Sequence, residues 1–349
     1  MPGSAPHFTA WLDNFFTAYY RNRPVNATFI GVHEYDHALP DFSENGAGDV
    51  LAEMEAMLAQ LQSLPEEPLS PAEKIDRVLA EGFLKIQSWE FRSNHFQRGN
   101  PSTYTGEAIF GLLSLFLTNF APLSERVEAA IARMEAIPAF LKQGQNNLHQ
   151  APLAWTERAI QECKGALAFL RQGVGLLIQE EALENPRFSR VASNAAVAFE
   201  DFLSFLENEL SAHPSQDYAC GEQVFDLLMR QGHFIDLDQE TIVAYAEQEL
   251  EAAQAYLINH AGDFDASTPD EALAQLADLH PTLQDYQARY TGLWEAARAT
   301  SRLMTCSPGP ISQSATSPSL SGCARQLLSY TFCSTAPRQR STAHPFMII

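Results

Sequence analysis

Apolar residues recur every three or four positions along most of this chain, proline interrupts them at intervals, and no stretch alternates with period two. Phe8, Trp11, Leu12, Phe15, Phe16 and Tyr19 keep helical spacing until Pro24, which predicts a first helix ending there. Leu51, Met54, Leu58 and Leu61 form one stripe of a second helix over about 48–63. The third opens on a capping box: the Ser70 hydroxyl can accept from the backbone at Glu73, the Glu73 carboxylate can reach back, and Pro71 takes the first helical position. Its core face is expected to be Ile75, Val78, Leu79, Phe83, Ile86 and Trp89. Residues 108–121 form the longest apolar run, short of the roughly 20 residues a membrane span needs, so a buried core helix over 107–121 is expected.

Ser124 starts another helix, and Pro138 marks a kink or boundary before the segment that ends near residue 148. Longer helices follow at about 153–183 and 187–212, the second turning Val191, Phe199, Phe202, Leu206 and Leu210 inward. Asp238 is the expected N-cap of a helix running to about 260. Thr268-Pro269-Asp270-Glu271 forms a second capping box, and a last helix reaches about Thr300. With no phosphate-binding glycine loop and no strand pattern, the fold class is all-α: a multi-helix array forming one helical domain over 1–300.

Composition narrows the function. A formal charge of −21 argues against nucleic-acid binding, because no basic face exists to release counterions. The N-terminus M-P-G-S-A-P-H lacks the basic and apolar regions of a secretory signal, and no C-x-x-C pairing occurs among the five cysteines. A reduced, cytoplasmic setting without membrane contact is the simplest expectation, with Cys163 and Cys220 as small buried hydrophobes. His95, His149, His213 and His260 fall near helix ends, where capping or exposure is the usual role, and His233 has no acidic partner at helical spacing.

One motif carries candidate chemistry. His33-Glu34-Tyr35-Asp36-His37 spells H-E-x-x-H, which on a helix sets two imidazoles to hold zinc and a glutamate to act as general base. Gly31 and Pro40 crowd the motif from both sides and no third ligand lies nearby, so a turn is expected in place of a zinc site.

Taken whole, R-P-V-N-A-T-F-I-G-V-H-E-Y-D-H-A-L-P-D-F-S (23–43) resembles the N-terminal signature of the bacterial DUF885 family, in which the histidine and aspartate recur but a second histidine does not. The stretch R-M-E-A-I-P-A-F-L-K-Q-G-Q-N-N-L (133–148) resembles a second block of that family, with Asn147 in either a capping, buried-polar or plain loop role. A third block is resembled at 220–242. The resemblance implies a largely helical zinc peptidase acting on a peptide substrate. Its zinc motif, of the form H-E-x-x-P-G-H-H, lies far toward the C-terminus of longer chains, and nothing like it appears here. The chain then corresponds to an N-terminal part that lacks the catalytic region, with no assignable catalytic residue and no metal or cofactor of its own. An independent helical binding or scaffold protein is the alternative, and a small zinc hydrolase using His33, Glu34 and His37 a third.

Composition changes abruptly near residue 301. The last 49 residues contain no Asp or Glu, four Arg, and three of the five cysteines. A disordered tail is one account of 301–349. A shifted reading frame fits better: re-read from Leu303, the stretch restores acids, tryptophans and an apolar-aromatic run resembling the next part of the family.

Overall fold

The computed structural model describes residues 6–65, 69–181, 185–282 and 284–303. The expected break near 301 and the tail beyond it lie outside these residues, apart from the end of the last helix. Contacts divide the described chain into two units that meet at Phe234 and Ile235. Both are helical, as the spacing predicts, with one two-residue parallel bridge, β1 (Ala151–Pro152) against β2 (Pro214–Ser215).

The first unit begins with α1 (Pro6–Asn22), α2 (Pro24–Ile30), α3 (Glu44–Ser63) and α4 (Pro71–Arg92). It continues with α5 (Ser102–Leu117), α6 (Leu123–Asn147), α7 (Leu153–Ala168), α8 (Val174–Glu180), α9 (Pro186–Asn208) and α10 (Glu222–Leu227). The box that opens α4 forms in full, with Ser70 accepting from the Glu73 amide and Glu73 from the Ser70 amide. Packing centres on α5, α6, α7 and α9. Val191, Phe199, Phe202, Leu206 and Leu210 are all buried there, against Ile137, Phe140 and Leu141 of α6.

Four expectations change. On α4, Ile75, Val78 and Leu79 are exposed, Ile75 by 61%. Further along the same face, Phe83 packs on the core and Ile86 is buried as expected, beside Gly82, where a β-carbon would sit 2.4 Å from the Gln231 carbonyl oxygen. That close backbone approach leaves room for no side chain at this position. Pro138 does not break α6, which runs unbroken through it. The ring faces solvent, while Ile137, Phe140 and Leu141 bury both flanks and offset the lost hydrogen bond. The helix expected over 153–183 is interrupted by a π-helical turn, Phe169–Gly173, between α7 and α8. Of the two cysteines, Cys163 is buried as expected, but Cys220 is only half-buried in a loop.

The second unit holds α11 (Gln239–His260), α12 (Pro269–Asp278) and α13 (Tyr286–Leu303). Asp238 caps α11 by accepting from the Thr241 amide at 2.8 Å. Thr268 caps α12 by accepting from Glu271, whose carboxylate accepts from Ser267, one residue ahead of the cap. Among the described residues of this unit, the buried ones are three alanines: Ala261, Ala266 and Ala272.

Candidate functional site

The 23–43 stretch folds as a short helix, a sharp stop and a turn. Proline at the head of α2 needs no amide partner, since the first turn has none to offer. Gly31 ends the helix at φ +96°, a conformation open to glycine, and its amide closes back on the Thr28 carbonyl. Residues 34–37 form a turn and not a helix. Ser43 then caps α3 by accepting from the Gly46 amide.

Arg133 of α6 comes up beneath this turn, fully buried. Its guanidinium donates to the carbonyls of Ala38 at 3.0 Å, Pro24 at 3.1 Å and Gly111 at 2.5 Å. It also donates to the hydroxyls of Thr28 at 2.7 Å and Ser114 at 3.3 Å. Thr28 passes its own proton on to Asp36 Oδ1 at 2.5 Å, and Asp36 Oδ2 lies 3.1 Å from His33 Nδ1. The His33 ring stacks on Phe120 with centroids 3.7 Å apart and a 7° tilt. A continuous polar line therefore runs from a one-third exposed imidazole to a sealed guanidinium. Burial lowers the Arg133 pKa to about 10, with Asp36 and Glu107 pulling the other way, so it stays charged at neutral pH.

The second half of the stretch is tied to the same helix. The Phe42 amide donates to Gln143 Oε1 at 2.9 Å, and the Phe42 carbonyl accepts from Asn147 Nδ2 at 2.6 Å. Asn147 also donates to the Tyr104 hydroxyl, which donates onward to the Gln97 carbonyl. Asn147 thus takes the buried polar role. The two blocks that resemble the family grip each other at both ends, Arg133 holding 24–38 and Asn147 holding Phe42.

This geometry does not make a zinc site. His33 is engaged by Asp36 and Phe120, while Glu34 and His37 point outward from the turn. Among the described residues no three of His, Cys, Asp and Glu group to hold a metal. The zinc that the resemblance implies does not fit the described part of this chain.

Two further charged side chains are drawn inward in this unit. Arg23 packs over the rings of Tyr19 and Phe83, at 5.2 and 4.9 Å, with burial lowering its pKa. Glu107 on α5 has a sealed Oε2 with no hydrogen-bond partner among the described residues. Burial pushes its carboxyl up to about 7, against the pull of Arg23 and Arg133. Glu90 is raised by burial as well, with Arg23 opposing. The hollow beside Arg23, lined also by Phe15, Tyr19, Glu53, Met54 and Phe83, has room for about one water and for no organic ligand. His95, expected to cap or to face solvent, is packed between Trp89 and Trp155, and neither ring nitrogen has a partner among the described residues.

The pattern that defines "Bacterial protein of unknown function (DUF885)" matches residues 24–308. A solved structure, that of "a putative lipoprotein of unknown function from Shewanella oneidensis", superposes with a TM-score of 0.63 and 22% identity. The match covers 87% of this chain and 59% of that one, so the chain spans 59% of that protein's length. At such identity the likeness shows the fold. No curated protein matches the chain. With the signature residues of both blocks found in mutual contact, and a family pattern running through most of the sequence, the chain belongs to the DUF885 family.

Proposed function

We propose that this chain is the N-terminal, scaffold-forming part of a DUF885-type zinc peptidase, forms a wall of the substrate cleft, and hydrolyses no peptide by itself. The observation that carries this reading is the use made of the signature. His33, Asp36, Thr28 and Arg133 are all spent on fastening a turn to α5 and α6, and none is free in a group able to hold a metal. The span of 59% of the Shewanella oneidensis protein supports it, because the matched fold leaves much of that protein without a counterpart. Substrates are peptides in this reading, the setting cytoplasmic, and residues from about 301 are translated in a shifted frame.

The test combines zinc analysis with peptide hydrolysis. The purified chain is expected to hold no stoichiometric zinc and to leave a peptide library intact with zinc added. About one zinc per chain, lost in His33→Ala, would establish the small-hydrolase reading. Hydrolysis that persists through chelator and repurification overturns the proposal. Resequencing the gene tests the frame: an added or missing base near codon 301 is expected, and an unaltered frame overturns that part. A helical binding protein remains the second reading, favoured by the apolar side chains that α11 exposes.

A further inference from the structure

Five charged side chains follow one another through the interior of the first unit. Glu90 of α4 lies in the field of Arg23, Arg23 in that of Glu107 on α5, Glu107 in that of Arg133 on α6, and Arg133 in that of Asp36 in the turn. The signs alternate at every step, and the five come from five separate segments of the chain. Arg23 and Arg133 open the two blocks 23–43 and 133–148, and Glu107 feels both of them.

Three carboxyls meet two guanidiniums, so full ionisation leaves one negative charge in excess, and a sealed interior does not tolerate an uncompensated charge. Among the described residues no further sealed cation acts on the five. Tyr19 of α1 faces Arg23 and Glu107 and stays neutral, its pKa raised by burial. Glu53 of α3 is paired with Arg21, and Glu162 of α7 accepts from Thr105 and Arg158. His33 can add a positive charge only at the outer end, where its ring is one-third exposed and water screens it. A proton is what remains to neutralise the group.

Hydrogen bonding shows where that proton sits. Asp36 accepts from the Thr28 hydroxyl at 2.5 Å, and Glu90 accepts from the Gln87 amide, so each of these carboxylates has a donor. Glu107 Oε2 is sealed and has none among the described residues. An ionised oxygen there would lose its hydration with nothing in return. Arg23 Nη2 is sealed without an acceptor as well, so Glu107 has not closed onto it as an ionised partner would.

We propose that Glu90, Arg23, Glu107, Arg133 and Asp36 act as one alternating charge chain that binds a single proton at Glu107, and that this proton clasps α2 to α5 and α6. Burial of Glu107 alone could also hold a proton. The charge chain differs in making Glu90, on another helix, a determinant of that proton. The proposal is independent of the peptidase reading.

The test follows urea denaturation of the full chain from about pH 4.5 to pH 8, in the parent, Glu107→Gln and Glu90→Gln. The parent is expected to lose stability as pH rises to about 7 and then to level off, because the unfolded chain releases a proton that the folded chain keeps. The part of that slope lost in Glu107→Gln should be lost in Glu90→Gln too, since removing the excess charge lets Glu107 ionise against Arg23. A Glu90→Gln variant that keeps the parent's slope overturns the charge chain. So does a slope that survives Glu107→Gln and disappears in His33→Gln. Infrared spectra of the parent need no variant: a protonated-carboxyl band is expected at about pH 6, where ordinary carboxylates are ionised, and its absence overturns the proposal. Amide exchange tests the clasp. Corrected for its intrinsic pH dependence, exchange in α2 is expected to quicken relative to α9 by up to about tenfold per unit between about pH 5 and 7. An equal response of α2 and α9 overturns the clasp.

Discussion

Arg133 donates to the Thr28 hydroxyl at 2.7 Å across 105 positions of sequence, and Thr28 relays that contact to Asp36. The guanidinium is thereby neutralised at one remove while its other nitrogens satisfy carbonyls of α2, of α5 and of the loop between α2 and α3. Replacing Arg133 by alanine leaves the buried Asp36 carboxylate without its neighbouring cation and takes a donor from each of those carbonyls, a loss of about 3–5 kcal/mol. Arg133→Lys keeps the charge but not the fork, and is expected to cost at least about 1 kcal/mol. Urea denaturation checks both. A lysine variant as stable as the parent would show that the charge alone matters.

Glu107 makes stability fall as pH rises. Its folded-state pKa of about 7 stands above its ordinary 4.5, so the folded chain binds that proton more tightly than the unfolded one. Below about pH 4.5 the carboxyl is neutral in both states. Between there and about pH 7 the unfolded state ionises first, and stability is lost across that window. Glu107→Gln is expected to be more stable than the parent at pH 8 by on the order of 2 kcal/mol, with the gap closing by pH 4.5. Paired denaturation curves at the two pH values test this. An equal gap at both would rule out the buried proton.

Asn147 and its neighbour Asn146 sit at the end of the same helix and should behave oppositely. Asn147→Ala removes bonds to the Phe42 carbonyl and the Tyr104 hydroxyl, at about 2 kcal/mol. Asn146 is exposed, and its alanine variant should stay within about 0.5 kcal/mol of the parent. Thermal melts on the two variants suffice, and equal melting temperatures would contradict the geometry.

Two helical glycines give a matched pair. A β-carbon on Gly144 would lie 2.9 Å from Tyr104 Cγ and 3.0 Å from Phe202, so Gly144→Ala should cost about 1–3 kcal/mol. Gly165 on α7 has nothing within 4 Å of that position, and Gly165→Ala should gain about 0.5–1 kcal/mol from helix propensity. Chemical denaturation of the two variants gives both signs. A stabilised Gly144→Ala would mean that the α5–α6–α9 junction is looser than its contacts imply.

Caps and apolar stripes make most of the helices legible in the sequence. Ser70, Asp238 and Thr268 each act locally, within three residues, so spacing alone reveals them. The exposed start of α4 is not legible, because what covers its later turns, the backbone at Gln231, comes from far along the chain and leaves the first turns bare. Arg133 gives no local sign of its burial, since an arginine on a mixed helix usually lies at the surface. Glu107 does leave a signal, as the single carboxylate in the apolar run 104–117. His33 resembles a metal ligand only through a five-letter match. Its real partners, Asp36 and Phe120, fit a turn that Gly31 and Pro40 already require.

The π-helical turn at Phe169–Gly173 carries one surplus residue without displacing what lies on either side of it. Val174 and Leu177 beyond it are buried, as Cys163 and Ala166 are before it. Deleting exposed Arg171 is expected to leave a plain helix with both flanks still buried, whereas the same deletion within α7 would turn every later residue by about 100° off its face. This stretch can lose a residue that its neighbours cannot.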